Sequence, residues 1–215
     1  MDDDSGGGAP VLLGPLADAS TARLGLRRPT PADAAVLHER VMSDPRTWAL
    51  DPALRTGGAP ETARVLRGQV QRWHRDGLGS WVLRELDGAG RPGEVVGVGG
   101  CSLPTPRAWN LAFRLRPEVW GRGYGREVAA AAVAAAHRVR PDLPVTAVVL
   151  AANAPSRRVV LGAGLAEVGR APDARGAPPS PVCLHADRPL GAELVEALLG
   201  WRPAVAPDGA GPAAG

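Results

Sequence analysis

At 215 residues, 45% of them apolar, the chain has enough material for one ordinary domain with its own core, and little for a second. It contains no lysine, so all 25 basic residues are arginines; against 22 acids they leave a formal charge of +3. That excludes a lysine-dependent phosphate loop, and the scatter of the arginines argues against a nucleic-acid face.

The two cysteines, Cys101 and Cys183, and the four histidines are dispersed without metal-ligand spacing. The expectation is reduced, buried thiols, no metal, and a cytoplasmic location. The longest run of small apolar residues, Val128–Ala136, is too short to cross a bilayer, so no membrane contact is expected. Residues 1–20 are acidic and glycine-rich, and 203–215 hold only Pro, Ala, Val, Asp and Gly; both read as disordered tails around a single domain at 21–202.

Arg23–Arg28 alternates leucine with charge and reads as a first strand. Thr30-Pro31-Ala32-Asp33 supplies a capping hydroxyl, a first-turn proline and an acid, predicting a helix that ends near Asp44-Pro45. A second helix is predicted from Pro60-Glu61 to Gly77. Ser80–Leu86 and Glu94–Ser102, joined by a turn at Asp87–Gly93, read as a hairpin. In the strand Trp109–Arg116, Trp109, Leu111, Phe113 and Leu115 point one way and Asn110, Ala112, Arg114 and Arg116 the other. A helix over Glu127–Arg140, a buried strand at Val145–Leu150, a short helix at Asn153–Gly162 and strands at Ala166–Arg170 and Val182–Ala186 follow. The apolar face of a last helix, Leu190–Trp201, suits the core better than a dimer contact. This order of elements predicts a mixed α/β sheet with helices on its faces.

Between Arg116 and the alanine-rich helix stand Gly121, Gly123 and Gly125, alternating with Arg122, Tyr124 and Arg126. Glycines there permit positive φ and let an anion reach the amides, while the helix that follows adds unpaired N–H groups and its dipole. Such a nest suits phosphate oxygens, with Arg122 and Arg126 available for charge-assisted contacts. The same glycines would equally serve a tight connection that binds nothing. A dinucleotide fingerprint fits worse, because its third glycine falls on Arg126.

Taken with their surroundings, these residues resemble the GNAT superfamily of acyl-CoA-dependent N-acyltransferases. The family's Gln/Arg-x-x-Gly-x-Gly/Ala frame falls on Trp120-Gly121-Arg122-Gly123-Tyr124-Gly125, with Trp120 in the leading position as in the RimJ/RimL-like branch. Asn153-Ala154-Pro155-Ser156-Arg157-Arg158-Val159, followed by Gly162-Ala163-Gly164-Leu165, is similar to the family's Asn-x-x-Ser segment. Leu26-Arg27-Arg28-Pro29-Thr30 with Asp33 resembles its opening strand and helix.

The resemblance implies a mixed, mostly antiparallel central sheet with helices on both faces and a splayed strand pair that receives CoA. It implies acetyl-CoA as co-substrate, lying between Trp109–Arg116 and Val145–Leu150. Backbone of Phe113, Leu115 and Arg116 would pair with the pantetheine; amides of Arg122, Gly123, Tyr124, Gly125 and Arg126 would hold the pyrophosphate; and Asn153 would reach the pantetheine arm. Ser156 matches the position assigned to protonating the leaving thiolate, though a serine there also suits a helix start. Val160 stands where many relatives carry a tyrosine acid. The expected partner is an amine, either a protein N-terminus or a small molecule, acetylated by a monomer or homodimer through direct attack in a ternary complex. The alternative is an idle acyl-CoA-binding module. No carboxylate lies on Trp109–Arg116, so His38, Glu39, His74, Glu85 and Glu118 are the candidate bases, each equally readable as a surface residue. Arg114 and Arg116 share a face that would suit a carboxylate-bearing acceptor, or are simply surface arginines.

Overall fold

The computed structural model describes residues 12, 14–172 and 180–200. Its strands are β1 (Asp18–Ser20), β2 (Leu24–Arg27), β3 (Ser80–Leu86), β4 (Pro92–Thr105), β5 (Ala108–Leu115), β6 (Val145–Leu150), β7 (Ala166–Ala171) and β8 (Val182–Ala186). They form one sheet in the order β1-β2-β3-β4-β5-β6-β8-β7, and every neighbouring pair is antiparallel except β5 with β6. The helices are α1 (Ala34–Leu37), α2 (Ala59–Asp76), α3 (Tyr124–Val139), α4 (Ala154–Gly162) and α5 (Ala192–Gly200). The mixed, mostly antiparallel sheet with helices on both faces is therefore as expected.

Alternation along β5 explains the layering. Trp109, Leu111 and Leu115 join the alanine face of α3 in the larger core, where Ala129, Ala131, Ala132, Ala135 and Ala136 are fully buried. Side chains this small let the helix lie close to the sheet, and alanine is the strongest helix former. On the opposite face, Leu37, Val41 and Leu66 pack on Val82 and Val95, placing α1 and α2 there. Leu194 and Leu198 of α5 cover Ala108 and Leu184. Trp201, expected at the end of that apolar face, lies outside the described residues, as do 203–215.

Two local departures have physical causes. Asp18–Ser20, expected within a disordered tail, is an edge strand registered on Gly25–Arg27, with Ala19 4% exposed and Trp81 Nε1 donating to Leu16 O at 2.6 Å. Three residues are too few to show a period, and only the partner strand reveals them. The helix expected from Thr30 starts as a 3-10 turn (Pro31–Asp33), becomes α1, and widens into a π turn (His38–Met42). Its start is held as predicted, since Asp33 accepts from the Thr30 backbone and hydroxyl. In the π turn adjacent residues Val41 and Met42 are both buried.

The pairing of the two parallel strands stops early. β5 and β6 are in register only at Trp109↔Val145 and Asn110↔Thr146, after which β5 runs on to Leu115 and β6 to Leu150 unpaired with each other. β6 stays bonded to β8 along its other edge, from Thr146↔Ala186 to Leu150↔Val182. The two parallel strands therefore splay towards their C-terminal ends, where α3 and α4 begin.

Candidate functional site

The polypeptide leaves β5 through a 3-10 turn (Pro117–Val119), and Trp120, half-exposed, donates Nε1 to Leu115 O at 2.9 Å. Gly121 and Gly123 then adopt left-handed backbone, φ 78° and 84°, a region that costs other residues roughly 1–2 kcal/mol. No side chain caps α3, and its first long rung runs from Glu127 N to Gly123 O at 3.2 Å. The amides of Tyr124, Gly125 and Arg126 precede that rung, beside the exposed Gly121, Arg122 and Gly123. Gly125 serves differently. A Cβ there would stand 3.2 Å from Val159 Cγ2, so this glycine lets α3 meet α4.

The two arginines of the turn have separate fates. Arg122 Nη2 donates to Glu85 Oε1 at 2.6 Å, and the same oxygen accepts from the Tyr124 hydroxyl at 2.5 Å. That hydroxyl, reinforced by Arg122, holds Glu85 below the usual carboxylate range, while burial pushes the Tyr124 phenol up. Arg126 is exposed, with no ion-pair partner among the described residues. On the far side of the turn Glu127, 9% exposed, is filled by Thr21 Oγ1 (2.6 Å), Arg23 N (2.9 Å) and Arg23 Nε (2.7 Å). Nothing in the sequence signalled Thr21 or Arg23, because their partner lies more than a hundred residues away.

Along the splay, Phe113 is half-buried against the core and Leu115 is buried. The Leu115 carbonyl is taken by Trp120, and Arg116 N donates to Val96 O at 2.9 Å. Across the gap Asn153 caps α4: its Oδ1 accepts from Ser156 N at 3.1 Å. The cap is thus the asparagine, and the Ser156 hydroxyl, half-buried, has no hydrogen-bond partner among the described residues. Val160 is 1% exposed and belongs to the core.

The candidate bases are distributed unevenly. His38 Nδ1 lies 3.1 Å from Thr62 Oγ1 and 3.4 Å from Thr56 Oγ1, half-buried at the start of the π turn. Glu39 and His74 are exposed, Glu85 is committed to Tyr124 and Arg122, and Glu118 pairs with Arg46 at 2.6 Å. Glu39, Arg40, Ser43, Asp44, Arg116 and Glu118 line one open, charged cleft. Arg116 is neutralised there by Glu94 at 2.6 Å. Arg114, on the α1–α2 face, uses Nη1 on Met42 Sδ and Leu54 O, both at 3.0 Å, and burial pulls its guanidinium down to about 10. Among the described residues no group of three or more His, Cys, Asp or Glu could hold a metal. Nor, among the described residues, is any helix long and apolar enough to cross a membrane.

Beside this geometry stands a match in sequence: the family model for an acetyltransferase (GNAT) domain matches residues 23–166. The chain belongs to the GNAT acetyltransferases. Members of this family take their acetyl group from acetyl-CoA. No curated protein sequence matches the chain. Among solved structures, an acetyltransferase from Agrobacterium tumefaciens aligns with TM-score 0.61 and 24% identity over 82% of this chain and 98% of its own. A Salmonella typhimurium acetyltransferase, described as modifying the N-terminal serine of ribosomal protein L7/L12, aligns with TM-score 0.61 and 17% identity over 79% and 96%. RimL, a ribosomal L7/L12 α-N-protein acetyltransferase solved with coenzyme A, gives TM-score 0.62 and 17% identity over 77% and 93%. At these identities the likeness is one of fold, and it agrees with the RimJ/RimL-like motif at Trp120–Tyr124.

Proposed function

We propose that this GNAT acetyltransferase binds acetyl-CoA in the gap between β5 and β6 and transfers the acetyl group to a primary amine, the α-amine of a protein N-terminus or of a small molecule. The observation that carries the reading is the uncapped start of α3 at the end of the gap, towards which the unpaired stretch of β5 runs. Ligands of open α/β sheets settle outside the carboxyl ends of strands that part, and a helix N-terminus with free amides favours an anion. In this reading the amides of Arg122–Arg126 and the free Arg126 side chain take the pyrophosphate. Backbone of Phe113, Leu115 and Arg116 and the Asn153 amide follow the pantetheine. The structure qualifies four contributions: Leu115 O is already occupied by Trp120, Arg116 N is given to Val96 O, Arg122 N is given to Val119 O at 3.3 Å, and Asn153 Oδ1 is taken by the α4 cap, leaving Asn153 its Nδ2.

The chemistry needs a neutral amine, a polarised thioester and a proton for the departing thiolate. An unpaired N–H on the open edge of β5 supplies the polarising donor, and Ser156, its hydroxyl uncommitted, supplies the proton. An α-amine, with pKa near ~8, is substantially neutral at mildly alkaline pH without a dedicated base, so orientation in the gap supplies much of the rate. A likeness of fold to proteins described as acting on a ribosomal protein's N-terminus supports an α-amine acceptor. Thiol release from acetyl-CoA, measured against N-terminal peptides and small amines, tests the proposal. Turnover with an α-amine is the expected result. Tight CoA binding with no turnover across the panel would replace the enzyme with a CoA-binding module.

A further inference from the structure

We propose that Arg23 is a positioning residue for the phosphate-binding turn, aiming the Gly123 amide at the anion from behind. The inference rests on the reading that this turn holds the CoA pyrophosphate, and it adds a residue that neither the glycine motif nor the strand splay points to. Arg23 stands just ahead of β2, two strands beyond β4 from the gap, so it lies outside the open edge itself.

Its guanidinium is divided between two tasks. Nε and Nη2 hold Glu127 Oε2, each at 2.7 Å, while Nη1 donates to the carbonyl of Arg122 at 2.8 Å. Glu127 gives this grip a fixed base. Its side chain is 8% exposed, it sits in the first turn of α3, and its other oxygen is filled by Thr21 Oγ1 and Arg23 N. The guanidinium is seated further by the Tyr124 ring, whose centroid is 4.8 Å from Arg23 Cζ, and by Gly123, where a Cβ would come within 3.3 Å of Nη2.

The consequence follows from peptide geometry. In a planar trans peptide the C=O and the next N–H point in opposite directions. Holding the Arg122 carbonyl towards Arg23 therefore turns the Gly123 N–H away from Arg23, out of the turn on its other side. Left-handed Gly123 and the uncapped amides of α3 then present donors together. Without the grip the Arg122–Gly123 peptide is free to rotate at two glycine-flanked joints, and the nest must be ordered each time an anion arrives. The planar fork matters more than the charge, because its separate nitrogens reach the carboxylate and the carbonyl in one fixed geometry, which a single compact ammonium on a flexible stem does not reproduce.

Kinetics with two acetyl donors test this. Acetyl-CoA carries the pyrophosphate; S-acetylpantetheine carries the same thioester and arm without it. Wild-type protein should use acetyl-CoA far better, and if it uses both equally the assignment of the turn to the pyrophosphate fails before Arg23 is considered. Given that preference, Arg23→Lys keeps a cation beside Glu127 and should retain the fold by circular dichroism and melting. Its KM for acetyl-CoA should rise about tenfold, the effect of one well-placed hydrogen bond, while kcat, the acceptor's KM and kcat/KM for S-acetylpantetheine stay within about twofold. Arg23→Ala should lose at least as much with acetyl-CoA and again nothing specific with S-acetylpantetheine. An unchanged KM for acetyl-CoA in a folded Arg23→Lys protein, or an equal loss with both donors, would overturn the proposal.

Discussion

The two helices that start at the open ends of β5 and β6 make the informative comparison. α4 closes its own N-terminus: Asn153 Oδ1 accepts from Ser156 N, and Pro155 fills a first-turn position where an N–H would be orphaned. α3 does the reverse. Left-handed Gly123 occupies the cap position without a side chain to offer, and Arg23 holds the turn from outside through the Arg122 carbonyl, while no side chain caps the first amides of α3. An orphaned helix end is normally satisfied by a cap or by water. One helix end satisfies itself beside another left open, and in the proposed function an outside anion completes the open one.

The largest test of that contrast is to spoil the open end. Gly123→Val places a branched side chain at φ 84° and brings its Cβ to 3.3 Å from Arg23 Nη2, crowding the guanidinium. Backbone strain of roughly 1–2 kcal/mol and the loss of a charge-assisted hydrogen bond of roughly 1.5–3 kcal/mol together predict a several-hundredfold weaker Kd for CoA by calorimetry. Retained affinity would remove the turn from the CoA site. Next comes the uncommitted hydroxyl at the start of α4. Ser156→Ala should lower kcat for acetyl transfer about a hundredfold with little change in CoA affinity, as loss of a general acid does; a kcat within twofold of wild type would assign thiolate protonation elsewhere.

Smaller effects separate cap from ligand. Asn153→Ala should cost about 1 kcal/mol of stability through the lost cap, whereas Asn153→Asp keeps the cap and should restore the melting temperature. If Asn153→Asp also restores CoA affinity, the pantetheine contact through Nδ2 is absent. The smallest effect is electrostatic. Glu85, whose pKa is lowered chiefly by the Tyr124 hydroxyl, stabilises the turn above its unfolded pKa near ~4.3 and loses that contribution as pH falls through the lower folded value. The effect should be a few tenths of a kcal/mol for so solvated a pair. Backbone amide NMR shifts in the first turn of α3 should follow this titration below about pH 4.3, and the titration should vanish in Glu85→Gln. The amide cap of α4, being neutral, should show no such dependence on Glu85.

Much of this site was legible before the fold was known. Gly121 and Gly123 announced positive φ, Asn153-Ala154-Pro155 announced a helix start, and the alternation of β5 announced which of its residues enter the core. Boundaries shifted by a few residues, α3 beginning at Tyr124 rather than Glu127, because the glycines that shape the turn also tolerate the first helical turn. The three glycines looked alike in sequence, yet Gly125 is there for the approach of α4, which no local pattern encodes. Arg122 and Arg126 looked equally suited to phosphate until Glu85 engaged one and left the other.

By itself the sequence determined the period of each strand and helix, the two helix starts after the splayed strands and the glycine turn between them, all properties of residues within a few positions of one another. Tertiary structure decided which groups those elements leave unsatisfied. The splay of β5 from β6, the commitment of Arg122 to Glu85 and the grip of Arg23 on Glu127 and the Arg122 carbonyl join residues about 40 to 100 positions apart. Such contacts obey no period, since the chain between the partners is free to take any path the packing allows, and only the folded sheet brings them within reach.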